Sequence, residues 1–359
     1  MLGNSSTNFK GNLIYKSLDE NSYPITVTID PALQELLTIA STVTGKLEAY
    51  IEQIPDIDDI SYMFILKEAI LTNKIAGNEA SLLDYLKYST SDEELSPNYK
   101  INKIRHCLKA SSYGYKLMES MPLSINILKE LNKILLVGSR NIDHTTNQIL
   151  ESYNTCQQEQ LKQLENLESF MGDDSQIPLI IKAGLILGHY ASFDLYSETQ
   201  GKIDRLFISL YLISNGLISK PILFLSEYFY NHQKEYNDLL ASFHEITGKE
   251  NWLKFFIFGI ITSANRSIDI LKNILTIQKT DFEKVTTIGR TLDRGITLLK
   301  SLYKRPLVRV KDVENITILK NPNALGLISK LINVGILEEI TGQKRNRIFG
   351  YSKYIKLFE

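Results

Sequence analysis

Cysteine is nearly absent: Cys107 and Cys156 are the only two in 359 residues. That leaves no disulfide framework and no zinc-ligand set, and it points to buried thiols in a reducing compartment. Proline is scarce too, at nine residues, and Pro122, Pro178 and Pro221 stand where helices are expected to begin. No run is long and apolar enough to span a membrane. The most apolar stretch, residues 206–225, is interrupted by Asn215, Gly216, Lys220 and Pro221, so it reads as two buried helix pieces and a turn. The N-terminal residues lack the basic, apolar, small-residue order of a secretion signal. Together these absences predict a cytoplasmic protein with no membrane partner. Apolar (43%) and charged (23%) fractions are those of a folded globular chain, long enough for two or three domains.

A net charge of −1 conceals an asymmetry. Residues 302–359 hold 11 Lys/Arg against 5 Asp/Glu, and the remainder holds 29 against 36. A basic tail on an acidic body suggests two jobs, with the tail as the part able to meet nucleic acid.

Residues 1–30 read as an extended arm with β-branched runs such as Ile25 to Ile29. Asp30-Pro31 then gives an N-cap and a first-turn proline, and Leu33, Leu36, Leu37, Ile39 and Ala40 follow at helical spacing. Further helices are predicted at 59–73, 80–88, 98–119, 124–137, 157–171, 176–192, 201–215, 221–232, 234–245, 250–277 and 280–302. No alternation of strand and helix is present, which argues against a doubly wound nucleotide fold. Past Arg305-Pro306 the pattern changes. A short strand (Leu307 to Val310), a short helix (Lys311 to Ile316) and a second helix from Asn321-Pro322 to about Asn333 come first. Gly335 ends that helix, and strands at 336–340 and 347–351 flank the basic tip 341–346. This is the order of a winged helix-turn-helix. In such a domain the second helix can enter a major groove while the hairpin lies over phosphates. Asn323, Lys330, Lys344, Arg345 and Arg347 are the candidate DNA contacts. The second helix is otherwise poor in base-reading side chains, and packing or dimerisation is the competing use.

The most chemical stretch is Asp194 to Arg205. Gly201-Lys202-Ile203-Asp204-Arg205 opens a helix after Ser197-Glu198-Thr199-Gln200. Amides at a helix N-terminus attract anions, with Lys202 and Arg205 on adjacent turns beside them. Glu198 is placed to hold Mg²⁺ against phosphates. Spacing alone supports a solvated helix cap as well as it supports a ligand site.

The segment Leu187 to Leu240 resembles the Fic (Fido) family of nucleotide transferases, whose signature is H-x-F-x-[D/E]-G-N-x-R-x-x-R. The likeness includes Gly188-His189-Tyr190, Arg205-Leu206-Phe207-Ile208, Leu225-Ser226-Glu227-Tyr228-Phe229-Tyr230 and Glu235-Tyr236-Asn237-Asp238. Upstream, Glu68 to Gly77 looks like the family's inhibitory helix, S/T-x-x-x-E-G/N. The tail from Leu298 to Phe358 looks like the winged helix many members carry. The resemblance implies a mainly α, Fic-type helical bundle with a small C-terminal α+β part. It divides the chain into an N-terminal arm and inhibitory-type helical region (1–95), a Fic core (96–280), and a linker helix with winged helix-turn-helix (281–359).

Members of the family transfer AMP from ATP to a hydroxyl of a target protein. The loop histidine is the base, the acid binds Mg²⁺, and the basic residues hold phosphates. Counted back from Arg205, this sequence puts Lys202 at the first basic position, Gln200 at the asparagine, Thr199 at the glycine and Glu198 at the acid. Asp194 falls on the histidine, whereas counting forward from His189 puts Tyr196 there. In the inhibitory helix, Thr72, Lys74 and Gly77 keep the pattern, but Ala76 replaces the glutamate that pairs with the second loop arginine. Between Asn141 and Gln160 the family's target-docking word is missing.

The favoured reading is a Fic-fold protein without ordinary AMP transfer, acting as a binding or regulatory module, on DNA through its tail. On that reading neither ATP nor Mg²⁺ is needed. The alternative is an active transferase of AMP or another phosphate-containing group, with ATP and Mg²⁺ as cofactors and Asp194 or Tyr196 near the nucleophile. Its target would be a protein the sequence does not name. A homo-oligomeric scaffold without nucleotide is the third reading.

Overall fold

The computed structural model describes residues 12–15, 25–90, 98–139, 158–172, 177–192, 199, 201–245 and 247–359. In chain order the elements are β1 (Asn12–Tyr15), β2 (Ile25–Thr28), α1 (Pro31–Gln53), α2 (Ile57–Ile75), α3 (Leu82–Thr90), α4 (Tyr99–Met118) and α5 (Ile125–Ser139). They continue as α6 (Gln158–Met171), α7 (Leu179–Ser192), α8 (Lys202–Ser214), α9 (Leu225–Asn231), α10 (Gln233–Ala241), α11 (Gly248–Thr286) and α12 (Leu292–Leu302). The tail holds β3 (Leu307–Arg309), α13 (Val310–Thr317), α14 (Asn321–Asn333), β4 (Glu338–Glu339), β5 (Ile348–Gly350) and α15 (Ser352–Ile355). The protein is mainly α, with a small α+β part at its C-terminal end.

Local chemistry explains the start of the bundle. The Asp30 carboxylate accepts from the Leu33 amide at 2.7 Å and Pro31 occupies the first turn, as its sequence predicts. From there α1 buries Leu33, Leu37, Ala40, Thr44, Leu47 and Ile51, one stripe at helical spacing, laid along α11. The extended arm is in part a hairpin, because β1 and β2 pair antiparallel with Asn12 opposite Thr28. Helix α8 crosses the middle of the bundle with all of Lys202 to Leu212 buried. Among the described residues no helix is long and apolar enough to cross a membrane.

Two helix predictions need correction. Residues 250–277 and 280–302 are not separate helices with a break near 278. Helix α11 runs unbroken to Thr286, since nothing between Ile277 and Thr280 interrupts its hydrogen-bond ladder. The chain turns only at Gly289, whose φ of +72° is left-handed. The helix expected from Pro221 begins at Leu225 instead. Ser267 donates to the Ile222 carbonyl at 2.5 Å and Ser263 to that of Phe224 at 3.3 Å, so α11 holds this segment out of the helix.

In the tail, β3, β5 and β4 form an antiparallel sheet in that spatial order. The ladder is shorter than predicted: Glu338 and Glu339 pair with Gly350 and Phe349, while Ile336 and Leu337 turn into the core. Gly335 ends α14 at φ +70°, as expected. Between α13 and α14, Ile318 adopts φ +55°, which costs a β-branched residue roughly 1–2 kcal/mol.

The tail is fastened to the body at its last turns. The Tyr351 hydroxyl donates to Asp281 at 2.5 Å, and Lys353 pairs with the same carboxylate. Lys67 of α2 donates to the Phe358 carbonyl at 2.6 Å, while the buried Phe358 ring meets Phe64 edge-on at 5.1 Å.

Candidate phosphate site at the start of the core helix

Helix α8 is launched by Gly201, which has φ +71° and no side-chain cap. A Cβ at this position would stand 2.8 Å from Nη1 of Arg205, but it is the left-handed backbone angle that calls for glycine. One turn on, Arg205 is only 3% exposed. Its Nε donates to the Thr72 hydroxyl at 2.6 Å and its Nη2 to the Thr72 carbonyl at 3.3 Å. Burial raises the pKa of the adjoining Tyr236 hydroxyl, while Arg205, hydrogen-bonded to it, pulls the other way. Lys202 is also 3% exposed and donates to the Thr199 carbonyl at 3.3 Å. Burial lowers its pKa to about 8, the Cys107 side chain opposing that shift and the Lys103 and Arg205 charges adding to it.

Beneath these cations lies a polar cluster shared by α2, α4, α8 and α9. Burial pushes the Glu68 carboxyl up to about 7, although Ser226 donates to it from its hydroxyl at 2.5 Å and its amide at 3.2 Å. The Arg205 charge acts on Glu68 in the same direction as Ser226. Burial also pushes the Cys107 thiol up to about 12, which makes it structural, as its sequence context suggests. The Tyr115 hydroxyl is raised by burial and by Glu68, and bonds to Ser209.

No protein-family model matches the chain. Its structure is similar to the crystal structure of a Fic family protein from Desulfovibrio desulfuricans G20, with a TM-score of 0.50. The match covers 90% of this chain and 97% of that one, at 13% identity. The chain has a Fic-type fold. At that identity the likeness carries architecture alone.

Within the Fic-type frame, the structure brings together Thr72 and Arg205, which stand 133 positions apart. The residues Asp194, Tyr196, Glu198 and Gln200 lie outside the described residues, as do Cys156 and residues 141–157. Ala76 caps the end of α2 with no group able to reach Arg205 as a carboxylate would, and Gly77 follows at φ +80°. Lys74 does not join the site; its ammonium lies 5.7 Å from the centre of the Tyr230 ring. His189 is buried in α7, edge-on to His244 at 5.7 Å. Burial, then the charges of His244 and Lys249, lower its pKa to about 3, so it is a neutral core histidine, as expected. Among the described residues no group of His, Cys, Asp and Glu is arranged to hold a metal.

Sequence reasoning missed Glu68, Ser226 and Tyr236 as members of the cluster. All three stand in the words that carry the Fic resemblance, but a helical word does not show which of its faces turns inward. In the tail, Asn323, Lys344, Arg345 and Arg347 are exposed, with the Arg347 guanidinium 5.3 Å from the Phe349 ring centre. Lys330 departs from its predicted role. Its ammonium donates to the Ile288 carbonyl at 3.0 Å and the Thr291 hydroxyl at 3.1 Å, closing the turn after α11, where carbonyls lack helical partners.

Proposed function

We propose that this Fic-type protein is a binding or regulatory module that does not carry out ordinary AMP transfer. The enclosure of Arg205 supports this reading most directly. A cation that holds nucleotide phosphates must present its N–H groups to solvent-borne oxygens. Here Nε and Nη2 point at Thr72, and Lys202 points at a backbone carbonyl. In this arrangement the two cations do not fit a bound triphosphate. The missing glutamate at Ala76 has not released the arginine, because the Thr72 hydroxyl and carbonyl hold it on the same helix. The sequence adds a chemical reason, since neither count puts a histidine in the loop: Asp194 takes that position counting back from Arg205, and Tyr196 counting forward from His189. An aspartate with a pKa of roughly 4 is too weak a base for an alcohol.

The tail completes the reading. We read its strand order, two helices and exposed tip as a winged helix-turn-helix, in which Lys344, Arg345 and Arg347 would contact nucleic-acid phosphates. With Lys330 turned inward, few groups on α14 remain to read bases, so this contact would be weakly sequence-selective.

The test combines labelled ATP, Mg²⁺ and cell lysate with the purified protein. The expected result is no label on the protein or on any target. Transfer that persists in Asp194→Ala but disappears in Lys202→Ala and Arg205→Ala would establish the alternative, a transferase with a non-standard base. Retardation of duplex DNA, lost when Lys344, Arg345 and Arg347 are all changed to Ala, tests the tail separately.

A further inference from the structure

A cleft of about 260 Å³ opens between the body and the tail, and it shares no residue with the site at the start of α8. Tyr62 of α2 and the last turn of α3 form one wall. The chain from Lys304 to Arg309, with Asp312 and Ile316 of α13, forms the other. Leu86, Leu307 and Val308 are buried and make the floor apolar. The rim carries three cations, Lys304, Arg305 and Arg309, against the single carboxylate of Asp312. That carboxylate is committed: it accepts from the Arg309 amide at 2.8 Å and from its Nε at 3.4 Å, closing the first turn of α13. Lys304 reaches Asp59 at 3.4 Å with both side chains about half exposed, where such a pair is weak. Among the described residues no carboxylate forms an ion pair with Arg305. Its charge acts on Tyr62 in the facing wall. Burial raises the pKa of that hydroxyl, while a hydrogen bond with Tyr85 and the Arg305 charge pull it down.

The backbone that carries these cations is fixed in advance. The Arg305 amide donates to the Ser301 carbonyl at 2.9 Å, the Pro306 carbonyl accepts from the Tyr351 amide at 2.8 Å, and β3 is paired with β5. Such preorganisation lowers the cost of taking up a ligand. On the facing wall the Ser89 and Thr90 hydroxyls both donate to the Leu86 carbonyl, at 2.9 and 2.8 Å. Each has spent its one proton and offers a ligand only lone pairs. A fitting ligand therefore presents an anion to Arg305 and O–H donors to Ser89 and Thr90. The guanidinium fork matches phosphate oxygens in particular. Ligand pockets commonly start at roughly 300 Å³, so the occupant is small, and a nucleic-acid duplex does not enter. We propose that this cleft binds a small phosphate monoester bearing hydroxyl groups, of the size of a sugar phosphate. The phosphate meets Arg305 with Lys304 beside it, the hydroxyls meet Ser89 and Thr90, and the carbon frame lies on Leu86 and Leu307. Because one wall belongs to α3 and the other to β3 and α13, an occupied cleft ties the tail to the body.

Ribose 5-phosphate is the probe, titrated into the full chain in a calorimeter with thermal unfolding in parallel. The expected result is saturable binding with a dissociation constant below about 1 mM, and a Tm that rises with ligand concentration. Ribose alone should not bind, and inorganic phosphate should bind at least about tenfold more weakly than the sugar phosphate. Affinity should fall below about pH 6, where a phosphate monoester takes up its second proton. Arg305→Ala should weaken binding at least about tenfold, the effect of losing a charge-assisted hydrogen bond to phosphate. Ser89→Trp, at an exposed position, should fill the cleft and abolish binding while leaving the Tm of the unliganded protein unchanged. No saturable binding of ribose 5-phosphate would overturn the inference, as would binding that survives both variants. Inorganic phosphate bound as tightly as the sugar phosphate would overturn it too, since the cleft would then select charge alone.

Discussion

Arg205 is a cation enclosed by its own chain, and the enclosure has measurable consequences. Thr72→Val removes the hydroxyl that accepts from Nε at 2.6 Å and leaves the carbonyl contact at 3.3 Å. A buried charged donor that loses its acceptor costs about 1–3 kcal/mol, so denaturant unfolding should show a lower midpoint at an unchanged m-value. A difference below the error of the measurement would mean that Arg205 is not held by Thr72. Glu68 and His189 make a second, pH-dependent case. The folded carboxyl of Glu68 keeps its proton up to about 7 against an ordinary 4.5, so its contribution is present below the unfolded pKa and lost as pH rises through 7. His189 acts in the opposite sense, with a folded pKa of about 3 against 6.5; its contribution is lost as pH falls from 6.5 towards 3. Thermal unfolding from acid to neutral pH should therefore show Glu68→Gln gaining stability relative to the wild type as pH rises. Parallel curves for the two proteins would contradict the raised carboxyl.

At the level of elements, α7 and α11 are locked by the absence of side chains. A Cβ at Gly188 would lie 2.3 Å from the Phe243 ring and 2.6 Å from Trp252 Nε1, and that indole N–H donates to the Gly184 carbonyl at 2.7 Å. Gly188→Ala should lose about 1–3 kcal/mol by overpacking, read as a fall in Tm; a neutral effect would show that the contact is loose. Much of this architecture is legible in the residues themselves. Asp30-Pro31 announces α1, Gly335 ends α14, and the order of strands and helices in the tail follows from its punctuation. The misplaced break in α11 and the late start of α9 are tertiary effects, since the serines of α11 that take the Ile222 and Phe224 carbonyls leave no local trace. The candidate site divides in the same way. Gly201, Lys202 and Arg205 are legible because a helix start after glycine has a local signature, and Thr72 follows from the Fic resemblance. Burial of both cations, the Glu68–Ser226 pair and the inward turn of Lys330 depend on which face each helix presents to its neighbours.

Across the whole molecule, α2 links the tail to the core helix. Lys67 holds the Phe358 carbonyl and pairs with Glu227 at 3.3 Å; its neighbour Glu68 holds Ser226, and Thr72 holds Arg205. Lys67→Met should loosen the tail at its last turn, seen as faster protease cleavage between Lys353 and Glu359 and a Tm lowered by about 1–3 kcal/mol of lost stability. Unchanged cleavage would place the fastening of the tail elsewhere, at Asp281. The same connected scaffold keeps Lys202 and Arg205 turned into the protein. Titration of ATP with Mg²⁺ into the protein in a calorimeter tests that enclosure most directly. The predicted result is no saturable heat up to millimolar nucleotide, in the wild type and in Arg205→Ala alike; saturable, Mg²⁺-dependent binding in the micromolar range that Arg205→Ala abolishes would contradict it.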